Sequence, residues 1–230
     1  MSSFRKLGIF VRIPEPGRVK TRLVPPLSAE GACDLYDAFL RDLFARVDKL
    51  KKVAVTVFYS GDTPDALRAF APKRFRLEAQ KGQGLGERLH NAFGHLLDSD
   101  RSMAVVIGSD SPDLPLTFIK RAFLKLKHKD IVLGPTSDGG YYLIGLKKLL
   151  PAVLENITWG TASVLEETLE RVREHSLSCS LLPLWYDVDD VHSLALLRTM
   201  LLGRRIERSD RLWRTERIME EIFLHDTTNP

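Results

Sequence analysis

The amino-acid sequence predicts an α/β protein: a mostly parallel mixed sheet with one antiparallel strand, held between two layers of helices. Three observations carry this. Short β-branched and apolar runs alternate with longer segments whose apolar residues recur at helical spacing, the signature of a parallel sheet covered on both faces. Late in the chain, two strand-like runs are joined only by Ser137-Asp138-Gly139-Gly140, a link too short for a crossover helix, so they are expected to run antiparallel. With 230 residues and 44% apolar content, the chain can bury the core of one large domain.

The elements follow in order. Leu7–Ile13 reads as a buried first strand, and a Pro/Gly/basic loop follows it. Ser28 is placed to cap a helix of about twenty residues, with Ala32, Leu35, Tyr36, Phe39, Leu40, Leu43 and Val47 at the i, i+3, i+4, i+7 spacing of one packed face. Val53–Tyr59 is the second strand, Asp62-Thr63-Pro64 opens a short helix through Phe70, and Arg74–Glu78 is the third strand. A Gly-rich turn, Gly82 to Gly86, leads into a helix over Leu85–Leu97. Met103–Gly108 is the fourth strand, and Pro115 stands at the start of a helix to Lys127. Asp130–Gly134 and Tyr141–Gly145 form the antiparallel pair. Ser163-Val164-Leu165-Glu166 has capping-box spacing for a helix to Glu174, and Ser178–Leu184 is the last strand. Asp190 is placed to cap a helix to Leu202. The domain is therefore drawn at 1–203. Residues 204–230 form a charged tail in which Ile206, Leu212, Trp213, Ile218, Met219, Ile222 and Phe223 give an amphipathic character, suited to packing on the body or on a second copy as a homodimer.

Composition removes several function classes. No apolar run approaches the roughly 20 residues of a membrane helix. Met1–Lys6 lacks the features of a secretion signal. Cys33 and Cys179 are too few for a disulfide framework and read as core residues of a cytoplasmic protein. The net charge of +4 comes from the stretch Arg198–Arg217, where seven arginines face three acids, 7 − 3 = 4. The rest of the chain sums to zero, so nothing calls for a nucleic-acid partner. Gly108-Ser109-Asp110-Ser111 lacks the G-x-S-x-G elbow of a serine nucleophile, and no His/Cys cluster suggests zinc.

The chemistry lies in aspartates at the ends of two strands. Asp110 directly follows the fourth strand, and Asp187 and Asp189 follow the last. In open α/β sheets ligands bind at these carboxyl ends. Carboxylates converging there repel one another unless a cation intervenes, and Mg²⁺ favours one or two carboxylates with phosphate oxygens. Asp110 and Asp189 are accordingly the expected ligands of Mg²⁺ or Mn²⁺, with Asp187 close behind. Asp113 is either a further ligand or a helix cap. The matching cations sit after the first strand. Gly17 admits backbone approach, and Arg18, Lys20 and Arg22, alternating in an extended loop, can clasp phosphates. Lys20 and Arg22 join Asp110 as the expected catalytic groups. Gln83 and Arg88, at the start of the helix after the Gly-rich turn, are expected to touch the nucleotide. Asp138, Gly139, Gly140 and Tyr141 are read either as an acceptor-binding loop or as a plain hairpin turn. Trp159 either stacks on a ligand or packs inside the fold.

Taken together these residues resemble the GT-A-type nucleotide-diphospho-sugar transferase superfamily, and within it the bacterial glycosyltransferase-like family related to 2-phospholactate guanylyltransferase. The resemblance runs through Phe10, Pro14-Glu15-Pro16-Gly17-Arg18-Val19-Lys20-Thr21-Arg22-Leu23, Leu85-Gly86-Glu87-Arg88 and Gly108 to Pro115. It continues through Gly134-Pro135, Asp138 to Leu143, Trp159 and Asp187-Val188-Asp189. It implies a three-layer α/β/α fold that binds a nucleotide or nucleotide-sugar over the strand ends with Mg²⁺ or Mn²⁺, and a small-molecule acceptor. The implied activity is glycosyl transfer, with nucleotidyl transfer and loss of pyrophosphate as the alternative. Lys20-Thr21-Arg22-Leu23 is similar to the Lys-Ser-Arg-Leu of the guanylyltransferase. Where classical sugar nucleotidyltransferases open with a Gly-rich loop ending in a basic residue, this chain has Pro14-Glu15-Pro16-Gly17. That departure keeps a nucleotide-binding protein without turnover among the alternatives.

Overall fold

The computed structural model describes residues 4–207 and 210–226, with side chains to 222. In chain order the elements are β1 (Phe4–Arg12), α1 (Ala29–Val47), β2 (Val53–Ser60), α2 (Asp65–Arg68), β3 (Arg76–Ala79), α3 (Leu85–Leu96) and β4 (Ser102–Ile107). They continue with α4 (Leu116–Lys125), β5 (Ile131–Pro135), β6 (Tyr141–Leu146), α5 (Val164–Glu174), β7 (Cys179–Leu181), α6 (Val191–Ile206) and α7 (Trp213–Asp226). The seven strands lie in the order β3-β2-β1-β4-β6-β5-β7. β6 runs antiparallel to both β4 and β5, while every other pairing is parallel. The expected mixed sheet is thus present, and its reversed strand is the one that follows the Ser137–Gly140 link.

Side-chain alternation along the strands feeds two cores, one on each face of the sheet. Leu7, Ile9 and Val11 of β1, with Val53, Val55 and Val57 of β2, meet the apolar faces of α1, α4 and α6. Phe58, Ala104, Val106, Leu133 and Ile144 pack on the opposite side against Leu89, Phe93 and Leu96 of α3 and Val172 of α5. All seven α1 positions expected to face the core are buried. Ser28 caps α1 by accepting from the Gly31 amide at 3.0 Å. Asp190 caps α6 in a reciprocal box with Ser193.

Three local readings are corrected. Ser163 does not form a capping box with Glu166. Its own backbone is already helical, φ −89° and ψ −5°, and its hydroxyl donates one turn on, to Glu167 at 2.5 Å. The loop bearing Arg18, Lys20 and Arg22 is not extended, because Lys20 adopts a left-handed conformation at φ 49° and Thr21–Leu23 form a 3₁₀ turn. The boundary at 203/204 falls inside α6, and the segment beyond it is built into the body. Leu212 and Met219 are buried in the same core as α1. Asp42 of α1 caps the start of α7, accepting from the Arg214 and Thr215 amides at 3.1 and 2.8 Å. The amphipathic stripe of the tail is therefore used within the chain. Residues 208–209 and 227–230 of that tail lie outside the described residues.

Candidate active site

A cleft of about 640 Å³ opens over the carboxyl ends of β1 and β4. Its walls come from Arg18 to Arg22, from Gln83, Leu85 and Arg88 at the start of α3, and from Tyr141 to Ile144 of β6. Asp110, Asp187 and Asp189 lie along its floor. The two aspartate segments, nearly eighty residues apart, are tied together where the Val188 amide donates to the Asp110 carbonyl at 2.8 Å.

At the centre is Lys20. Its side chain is 3% exposed, and its ammonium pairs with Asp110 and, at 2.9 Å, with Asp189. Arg22 reaches the other oxygen of Asp189 at 2.5 Å. The rings of Tyr36 and Phe39 stand 5.7 and 5.9 Å from the ammonium and wall it off. Burial works against the charge on Lys20, but the Coulombic pull of Asp110 and Asp189 outweighs it and holds the amine protonated above its ordinary range. Burial likewise opposes the charge on Asp189, yet Lys20 and Arg22 leave its pKa lowered. Tyr36, buried and beside Asp110, is pushed up to about 12, and its hydroxyl meets Ser109 at 2.8 Å.

Asp187 is in the opposite situation. Burial first, and then the negative charge of Asp110, raise its pKa from 3.8 to about 7, while the Ser111 hydroxyl donates to it at 2.6 Å. At the floor itself three carboxylates thus meet only two paired cations, Lys20 and Arg22, and Asp187 has neither, which suits an added cation. Among the described residues no three acidic, thiol or imidazole side chains form a ready-made metal cage. Mg²⁺ does not need one, because phosphate oxygens and water complete its shell.

The remaining expected positions divide. Arg18, Lys20, Arg22, Gln83, Arg88, Asp110, Asp189 and Tyr141 all line the cleft. Arg18 also pairs with Glu15 at 3.1 Å. Gly17, at φ +75°, shapes the turn but is off the lining. Asp138, Gly139 and Gly140 are off it too. Asp138 accepts from the Thr136 hydroxyl at 2.5 Å and from the Gly140 amide at 3.1 Å, the geometry of a hairpin turn. Trp159 meets Tyr141 edge-on at 6.2 Å and packs inside the fold. Asp113 is neither a cleft ligand nor a helix cap. It is fully buried and accepts from Trp185 at 3.2 Å and Tyr186 at 2.9 Å. Residues passed over in the sequence include Tyr36 and Ser111. Neither had a local signal, since each meets its partner only through the fold.

Behind the cleft, the segment after Asp110 is braced from the rear. Arg46 of α1, almost wholly buried, donates to the carbonyls of Pro112 at 2.6 Å and Leu114 at 2.9 Å and pairs with Asp210. Arg204 of α6 donates to the Asp113 carbonyl at 2.6 Å.

The family model described as "Uncharacterized protein conserved in bacteria (DUF2064)" matches residues 43–161, just over half the chain. The chain belongs to this family. Over 95% of both chains, this DUF2064 protein is 35% identical to a nucleotide-diphospho-sugar transferase-like protein of Desulfovibrio desulfuricans G20, whose crystal structure superposes with a TM-score of 0.86. It is 25% identical over 144 residues to 2-phospho-L-lactate guanylyltransferase of Methanocaldococcus jannaschii, a match spanning 62% of this chain and only 60% of that enzyme. The fold extends to Rv0371c of Mycobacterium tuberculosis H37Rv, solved in complex with manganese, with 16% identity, a TM-score of 0.51, and coverage of 85% of this chain and 98% of that one. The expected α/β/α fold and superfamily thus hold, and this member of DUF2064 is transferase-like. No helix among its described residues is long and apolar enough to cross a membrane.

Proposed function

We propose that this protein is a divalent-metal-dependent nucleotidyltransferase, acting in the cytoplasm on a nucleoside triphosphate and a small-molecule acceptor. One observation carries the reading: Asp110 and Asp189, from distant stretches, converge on a buried ammonium at the floor of a cleft whose rim carries Arg18 and Arg22. Such a floor and rim suit a polyphosphate with its cation. Asp110 and Asp189 would hold Mg²⁺ or Mn²⁺, which when bound neutralises phosphate charge. Arg18 and Arg22 bind the phosphate tail, and Lys20 faces the charge that develops on the leaving pyrophosphate. Gln83 and Arg88, beside the N-terminus of α3, take the nucleoside end. Tyr141, opposite, borders the acceptor. The match to a guanylyltransferase supports the reaction type, and the manganese complex of Rv0371c supports the metal.

A second reading, glycosyl transfer from a nucleotide-diphospho-sugar, is favoured by the likeness to the D. desulfuricans protein. The test is product analysis with Mg²⁺ or Mn²⁺ present, using the four nucleoside triphosphates and a panel of nucleotide-sugars against phosphorylated and hydroxylated acceptors. Pyrophosphate release supports nucleotidyl transfer. Acceptor-dependent release of nucleoside diphosphate replaces it with the second reading. Nucleotide binding with neither product across the panel would leave a binding protein without turnover.

A further inference from the structure

The cation that a metal site needs is already there in another form. Lys20 reaches Asp110 and Asp189 at once, from a left-handed backbone position that only a few per cent of non-glycine residues adopt. Its side chain is nearly fully buried and flanked by the aromatic rings of Tyr36 and Phe39, so it is no wandering surface lysine. A dication set between Asp110 and Asp189 is repelled by an ammonium in the same place, and both oxygens of Asp189 are already engaged, by Lys20 and by Arg22.

We propose that Lys20 is an internal stand-in cation: it occupies the divalent-metal position in the nucleotide-free protein, and metal entry releases it from Asp110 and Asp189 towards the phosphates. This rests on the metal-dependent reading above and adds a regulation to it. Metal alone competes poorly with a tethered ammonium and leaves that ammonium without a counter-ion. Metal arriving with a nucleotide supplies both the ion for the aspartates and the phosphate for Lys20. The two ligands therefore load together, and the cleft does not fill with free metal between turnovers. Arg22, held at 2.5 Å to Asp189 and far more exposed, follows Lys20 without replacing it at the centre.

The test measures Mn²⁺ binding to the full-length protein by the electron paramagnetic resonance signal of free Mn²⁺, with and without a non-hydrolysable nucleoside triphosphate, each titration taken relative to the same mixture without protein so that metal chelated by the nucleotide alone is subtracted. Parent protein is expected to bind Mn²⁺ weakly alone and at least about tenfold more tightly with nucleotide. Lys20→Met, which removes the central charge and leaves Asp110 without an ion pair and Asp189 with Arg22 only, is expected to bind Mn²⁺ alone about tenfold or more tighter than parent. Lys20→Arg should stay weak. Unchanged or weaker Mn²⁺ binding by a folded Lys20→Met protein overturns the stand-in role, while the metal-dependent reading survives. Absence of Mn²⁺ binding to the parent protein even with nucleotide overturns that reading itself. Should Lys20→Met not fold, the parent protein decides by ¹⁵N-lysine NMR. A slowly exchanging ammonium resonance is expected without ligands and must move when Mg²⁺ and nucleotide are added. A resonance unmoved at saturation refutes the exchange.

Discussion

Replacing Asp187 by Asn in the metal-free protein should stabilise it above neutral pH and do progressively less as the pH falls. The half-buried carboxyl of Asp187 feels both desolvation and the negative charge of Asp110, and its pKa stands at about 7 in the folded chain against an ordinary 3.8. A group whose acidic pKa is raised by folding binds more protons folded than unfolded between those two values. Its contribution is therefore largest below about pH 4 and is lost as the pH rises through 7. With these pKa values, the loss between pH 5 and pH 8 amounts to about 2.5 kcal/mol. Asn keeps an oxygen for the Ser111 hydroxyl, which donates to Asp187 at 2.6 Å, and removes the titration. Urea unfolding of both proteins at pH 5, 6, 7 and 8, in EDTA so that no bound cation neutralises the site, reads the difference directly. The advantage of Asp187→Asn should grow by about 2 kcal/mol across that range, mostly below pH 7. Parallel curves for the two proteins, or a variant that is relatively less stable at pH 8 than at pH 5, would refute the idea that excess negative charge accumulates at this floor.

Other substitutions probe separate parts of the argument. Asp110→Asn is expected to weaken Mg²⁺-dependent nucleotide binding by about tenfold or more without unfolding the chain, as read by calorimetry; equal affinity would remove Asp110 from the metal. Asp42→Ala deprives the start of α7 of its acceptor. It should cost about 1–2 kcal/mol in denaturant unfolding, and hydrogen exchange should show α7 opening first. Gly139→Ala places a methyl group 2.0 Å from the Ala162 carbonyl oxygen at φ +90° and should cost about 2 kcal/mol or more. Gly17→Ala, at φ +75° but with nothing within 4 Å, should cost about 1 kcal/mol or less. Similar melting temperatures for the two glycine variants would contradict the packing of the β5–β6 turn.

The end of β4 was legible because a fully buried apolar run leads straight to Asp110, whereas β7 stops at Leu181 rather than Leu184, is only half-buried, and reaches Asp187 and Asp189 through a further loop. Asp110 and Asp189 are expected from the sequence in one crevice, and both line the same cleft. Asp113 was not legible. It sits one turn before a helix, where an aspartate ordinarily caps, but Trp185 and Tyr186, more than seventy residues on, claim both its oxygens. The three cations after β1 were recognisable as a group, though not in their arrangement. That arrangement depends on a single left-handed residue at Lys20, and local pattern does not reveal which residue will take that strain. The Asp-Gly-Gly link fitted a turn and a binding loop equally well. The deciding facts are the hydrogen bond from the Leu165 amide to Gly139 and the close approach of Ala162, both from the segment that leads into α5 and distant in sequence. The apolar stripe of the C-terminal stretch was legible, but whether it meets the body or a second copy was not, and only the position of α1 shows what Leu212 and Met219 meet.

The rear brace changes where sensitivity should be sought in this molecule. Arg46 touches no part of the cleft, yet it grips the peptide groups of Pro112 and Leu114, two and four residues beyond Asp110, and leans on Asp210 near the chain's end. A substitution at Arg46 or Asp210 would therefore loosen the segment that follows Asp110 without touching the cleft. Proximity to the ligand is then a poor guide to influence over it: one end of α1 walls the cleft with Tyr36 while its other end, through Arg46, acts as part of the foundation.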